Sequence, residues 1–84
     1  MFFVYILYSL STSKFYTGQT EDLKKRLQRH NKGLVNSTKN GAPWNIIWKG
    51  VKESRIEAVK LERSVKKRGA KRFLHDLGIE IDRI

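Results

Sequence analysis

Cysteine is absent from the 84 residues, so neither a disulfide nor a thiolate zinc site can support the fold. Only two histidines occur, His30 and His75, too few for a multi-histidine metal centre. Proline occurs once and glycine six times, and neither gathers into a linker; no internal repeat or low-complexity segment interrupts the chain. No apolar run reaches the roughly 20 residues that a helix needs to cross a bilayer. The opening run, residues 1–10, also lacks the basic start and small-residue cleavage site of a secretory leader. These absences set the expectation of one domain over residues 1–84 with a cytoplasmic location and no membrane partner. A domain this small buries only roughly 60% of its unfolded surface. Apolar packing must therefore hold it, from 39% hydrophobic residues and nine aromatics (Phe 4, Tyr 3, Trp 2).

Acidic residues are also scarce. Eight Asp and Glu stand against eighteen Lys and Arg, a net charge of +10. The excess is spread out: residues 1–50 carry eight bases and two acids, and residues 51–84 carry ten and six. A disordered basic tail would concentrate it in one block. A folded domain with this field attracts polyanions and speeds their encounter, which makes nucleic acid the expected partner.

Residues 2–8 form an unbroken aromatic and branched run, as in a strand covered on both faces. Residues 9–14 are polar and turn-like, and residues 15–19 read as a second strand of a hairpin. Pairing Tyr8 with Phe15 sets Leu7 opposite Tyr16 and Tyr5 opposite Gly18. Alternation then puts Tyr5, Leu7, Tyr16 and Gly18 on one face. Thr20 is the expected cap of a first helix, with Glu21 and Asp22 in its first turn. Leu23 and Leu27 mark its buried stripe, Arg26 and His30 are surface neighbours four apart, and Gly33 suits its C-terminal end. After a polar loop, residues 44–51 read as a third strand. Ser54 and Glu57 form a capping box for a second helix, with Ala58, Leu61 and Val65 as its stripe and Glu62 at the stripe's border. Residues 70–77 suggest a last helix stopped by Gly78, and residues 79–84 are ambiguous. The order β-β-α-β-α-α predicts an α+β fold, a small three-stranded antiparallel sheet flanked by helices.

Val4-Tyr5-Ile6, followed ten residues on by Tyr16-Thr17-Gly18, resembles the paired motifs of the GIY-YIG nucleases. Asp22, Leu23, Arg26, Leu27 and His30 are similar to that family's first helix. Ser54, Glu57, Ala58 and Glu62 resemble the helix that carries its acidic metal ligand. The likeness covers residues 2 to about 72 and is nearest to short stand-alone members related to the nuclease domain of the excision-repair protein UvrC. Val4 stands where the first motif has glycine, Thr17 is central in the second, and no residue matches the family's late asparagine.

The resemblance implies an endonuclease that hydrolyses phosphodiester bonds, with nicking of DNA in repair or recombination as the expected role. It also implies one Mg²⁺ or Mn²⁺ held by Glu62, and a catalytic set of Tyr5, Tyr16, Arg26, His30 and Glu62. The chemistry of these groups agrees. A phenol can orient or deprotonate water, given a perturbed pKa. A guanidinium fork holds phosphate, and Mg²⁺ commonly takes one or two carboxylates and keeps its waters. Gly18 allows close approach to the sheet. Lys24, Lys25, Arg29, Lys66, Lys67 and Lys71 are candidate phosphate contacts, and Thr38 a weaker substrate contact. Each residue also has an ordinary reading: core aromatics, solvated helix charges, and a Glu62–Lys66 pair at i,i+4. The alternative function is a catalytically inactive nucleic-acid-binding module. One acidic centre addresses one phosphate, so a monomer that nicks is expected, with a transient dimer for double-strand cuts.

Overall fold

The computed structural model describes residues 1–80. Three antiparallel strands, β1 (Phe2–Ser9), β2 (Phe15–Thr20) and β3 (Trp44–Lys52), form one sheet in the order β2-β1-β3. Helix α1 (Leu23–Asn31) and a short 3-10 turn (Asn36–Thr38) lie between β2 and β3; α2 (Arg55–Arg68) and α3 (Ala70–Asp76) follow. The order is β-β-α-β-α-α, an α+β fold, as the sequence predicts. The ambiguous tail runs past the last described residue, so residues 81–84 of it lie outside the described part.

β1 is the central strand because its residues are apolar on both sides. Val4, Tyr5, Ile6 and Leu7 are all buried. Alternation divides them between two layers. Ile6 packs with Val65 of α2 and Leu74 of α3, joined by Trp48, Leu61 and Phe73. Tyr5 and Leu7 pack with Trp44 on the other face, joined by Leu23 and Leu27 of α1 and by Tyr16. The hairpin register is the expected one: Tyr8 opposes Phe15, Leu7 opposes Tyr16 and Tyr5 opposes Gly18. On the β3 side the register shifts between Ile6 and Leu7.

Helix ends follow local chemistry, with one correction. Asp22, not Thr20, caps α1: its carboxylate accepts from Lys25 N at 3.0 Å. Thr20 is the last residue of β2, and its hydroxyl oxygen instead accepts from Asp22 N at 3.1 Å. Glu21 precedes the helix and faces Arg55 at 3.9 Å. At the other end Gly33 has φ +74. Gly33 N donates to His30 O and Leu34 N to Arg29 O, the paired bonds of a Schellman motif that needs a left-handed residue there. Ser54 caps α2, accepting from Glu57 N at 3.2 Å. Gly69, with φ +92, separates α2 from α3, and Arg68 spans the break by a two-pronged bond to Asp76 at 2.8 and 3.0 Å.

Candidate active site

The Tyr5 phenol lies across the neighbouring strand. A Cβ added at Gly18 would stand 2.6 Å from Tyr5 Oη and 2.8 Å from Cζ. Only a residue without a side chain leaves room for this crossing. The close approach that Gly18 permits is thus made by the protein's own tyrosine. Tyr16 sits beside it, with ring centroids 6.4 Å apart. His30 completes the group, its ring 5.8 Å from Tyr5 and 5.0 Å from Tyr16.

His30 is fully buried at the last turn of α1. Its Nε2 is 2.9 Å from Tyr5 Oη, and its Nδ1 is 2.7 Å from Thr38 Oγ1. The Thr38 hydroxyl is also placed to donate to Val35 O at 3.3 Å. That network assigns the tautomer: Thr38 oxygen accepts from Nδ1–H, Nε2 carries the lone pair, and Tyr5 O–H donates to Nε2. Burial pushes the imidazole down to about 4, helped by the charges of Arg26 and Arg29. His30 is therefore neutral at pH 7. Burial likewise pushes the Tyr5 phenol up to about 12; Tyr16 adds to the rise, the Arg26 charge opposes it, and Glu62 adds a little.

Those influences also locate the remaining candidates. Arg26, half-buried on α1, lies near both Tyr5 and His30. The Glu62 carboxylate, on α2, lies within electrostatic reach of the phenol although α2 packs on the opposite face of the sheet. Tyr5, Tyr16, Arg26 and His30, from β1, β2 and α1, thus meet where Tyr5 crosses β2, and Glu62 acts on the phenol from α2 through its charge.

The GIY-YIG catalytic domain, compared as a family model, matches residues 1–73 of this chain. The chain belongs to the GIY-YIG family. Two UPF0213 proteins of Staphylococcus aureus, from strains Mu3 and N315, are each 34% identical to it over 65 residues. The match covers 76% of this chain and 78% of either relative. No solved structure matches. GIY-YIG proteins are a nuclease family, acting on nucleic acid and generally dependent on a divalent metal.

The donor atoms at this GIY-YIG site fit such a metal in one way only. Among the described residues no group of three or more His, Asp or Glu side chains converges, so no all-protein cage exists. One carboxylate, Glu62, reaches the Tyr5 phenol through its charge, and a single carboxylate suits an ion that keeps most of its waters. Glu62 is not idle, however. It pairs with Lys66 at 2.8 Å, the i,i+4 partnership that its sequence position also allows.

Thr38 is buried, with its hydroxyl on His30 and its carbonyl accepting from Trp44 Nε1 at 3.0 Å. It holds the site's histidine from behind. No periodicity signals that contact, because it joins a helix end to an irregular loop. The basic candidates divide between two faces. Lys24, Lys25 and Arg29 are exposed on α1; Lys66 and Lys67 on α2 and Lys71 on α3 are exposed on the other side of the sheet. Arg68 is committed to Asp76. No helix among the described residues is long and apolar enough to cross a membrane.

Proposed function

We propose that this GIY-YIG domain, residues 1–84, is a metal-dependent endonuclease that nicks DNA, with Tyr5, Tyr16, Arg26, His30 and Glu62 as its working residues. The observation that carries the reading is the Thr38–His30–Tyr5 chain of hydrogen bonds. With its proton committed to Nε2, Tyr5 Oη keeps a lone pair to accept from a water. As that water attacks phosphorus, its proton passes to Tyr5 while the phenol's own proton passes to His30 Nε2. The water oxygen bonds to phosphorus, the bond to the leaving oxygen breaks with its electron pair, that oxygen takes a proton from solvent, and negative charge builds on the phosphate oxygens between the two events. Arg26 is placed to hold that charge with its planar fork. Tyr16 flanks the attack. Glu62 would hold the divalent ion, which when bound supplies charge neutralisation and Lewis acidity.

Supercoiled plasmid incubated with Mg²⁺, Mn²⁺ or EDTA tests the proposal. Open circles should form with either metal, vanish with EDTA and vanish for Glu62→Gln, whose DNA affinity stays close to wild type. The Glu62–Lys66 pair is the one observation favouring a binding module without activity. Binding without cutting under every metal would select that reading.

A further inference from the structure

A cleft of about 260 Å³ opens beside Tyr16, and neither Arg26 nor Glu62 lines it. Its walls come from the hairpin (Lys14, Phe15 and Tyr16) and from the loop before β3 (Asn36, Ser37 and Asn40). The loop's backbone is fixed from below. Thr38 is tied to His30 and Trp44. Gly41 O accepts from Ser9 Oγ at 2.5 Å, and Trp44 N donates to Asn31 Oδ1 at 2.6 Å. Its outward side chains are the opposite. Asn36, Ser37 and Asn40 are exposed and make no side-chain hydrogen bond among the described residues. A rigid loop that presents unbonded amides into a cleft has the character of a recognition surface rather than a packing one.

The lining defines the ligand. An amide side chain offers a donor and an acceptor together, which matches the edge of a nucleobase. Tyr16 offers a ring face or edge for contact with a flat heterocycle. The Lys14 ammonium suits a backbone phosphate, and no carboxylate lines the cleft. The cleft also adjoins the proposed site, since Tyr16 belongs to both and Thr38 joins the cleft wall to His30. We propose that it is a nucleobase subsite, receiving the base of a nucleotide adjoining the scissile phosphate and reading its edge through Asn36 and Asn40. A base can enter only out of the duplex stack. This rests on the nuclease reading above.

The test uses single-stranded oligodeoxynucleotides with a randomised segment, cut by the full chain and sequenced at their new ends. Wild type should show a base preference at one position beside the cut of about fivefold or more, the scale of one directed base contact. Asn36→Ala/Asn40→Ala removes only exposed, unbonded groups, so it should fold as wild type. It should flatten that preference to below roughly twofold. A wild type without preference, or a variant that keeps it, overturns the subsite. If no metal supports cutting, the nuclease reading fails and the subsite is judged by binding. The Asn36 and Asn40 side-chain amide resonances should then move on titration with a short oligodeoxynucleotide and stay still with its abasic counterpart. Resonances that ignore both, or respond to both alike, overturn it too.

Discussion

Tyr5, His30 and Gly18 depend on one another atom by atom, and each dependence can be measured. Tyr5→Phe keeps the ring but removes the bond to His30 Nε2. It should lower the cutting rate roughly 10²-fold or more, the scale of a lost proton-transfer group. It should also cost about 1–3 kcal/mol of stability, because a buried acceptor is left unpaired. Tyr16→Phe, cutting nearly as wild type, would assign the base to Tyr5; equal rates for both variants and wild type would reduce the phenols to packing. Gly18→Ala drives a methyl into the Tyr5 phenol. About 1–3 kcal/mol of overpacking is expected, read as a lower urea midpoint. His30 adds a pH dependence. Its value falls from 6.5 to about 4 on folding, so between those values the unfolded chain binds the extra proton. Stability from this group is complete above about 6.5 and is lost as pH falls through 4, in total roughly 3 kcal/mol. Urea midpoints measured from pH 7 to 4 should drop steeply for wild type and less for His30→Asn. Parallel curves would show that another group governs acid sensitivity.

Among the elements, what could be read from the sequence was what is local. The hairpin register followed from alternation and a short turn, the α2 capping box from a spacing of three, and the C-terminal end of α1 from Gly33. The α1 cap lies two residues beyond Thr20, although Thr20 and Asp22 are both good caps; the end of β2 decides between them, since Thr20 is still extended. The Thr38–His30 bond was not legible at all, joining as it does an irregular loop to a helix end. The meeting of Tyr5, Tyr16, Arg26 and His30 is reachable from the sequence only as a motif order, for no local pattern joins α1 to two strands. Helix α2 makes its own prediction. Lys66 occupies Glu62 at 2.8 Å and competes with any cation there. Lys66→Ala should lower the Mg²⁺ or Mn²⁺ concentration giving half-maximal cutting by a few-fold, as expected when a like charge leaves a carboxylate site. An unchanged half-saturation point would show that the pair lies outside the metal's reach.

At the scale of the whole molecule, a sheet divides the positive charge. Lys24, Lys25 and Arg29 lie on the α1 side; Lys66, Lys67 and Lys71 lie on the α2–α3 side. One straight duplex does not touch both faces, so one set should dominate the salt dependence of binding. Each duplex phosphate neutralised contributes about −0.9 to the slope of log affinity against log salt. Lys67→Ala/Lys71→Ala should flatten that slope for all sequences alike; an unchanged slope would move the contact surface to α1. One proposed site among the described residues predicts open circles before linear DNA, at a rate proportional to protein concentration. A rate rising with the square of concentration, together with early linear product, would instead mean paired copies. The central strand ties these scales together. Tyr5 stands between Val4 and Ile6, two fully buried residues of the core, so the proposed site has no scaffold of its own to lose first. On heating, catalysis and circular dichroism should fade along one curve, and a molecule that has lost its activity to heat will have lost its shape as well.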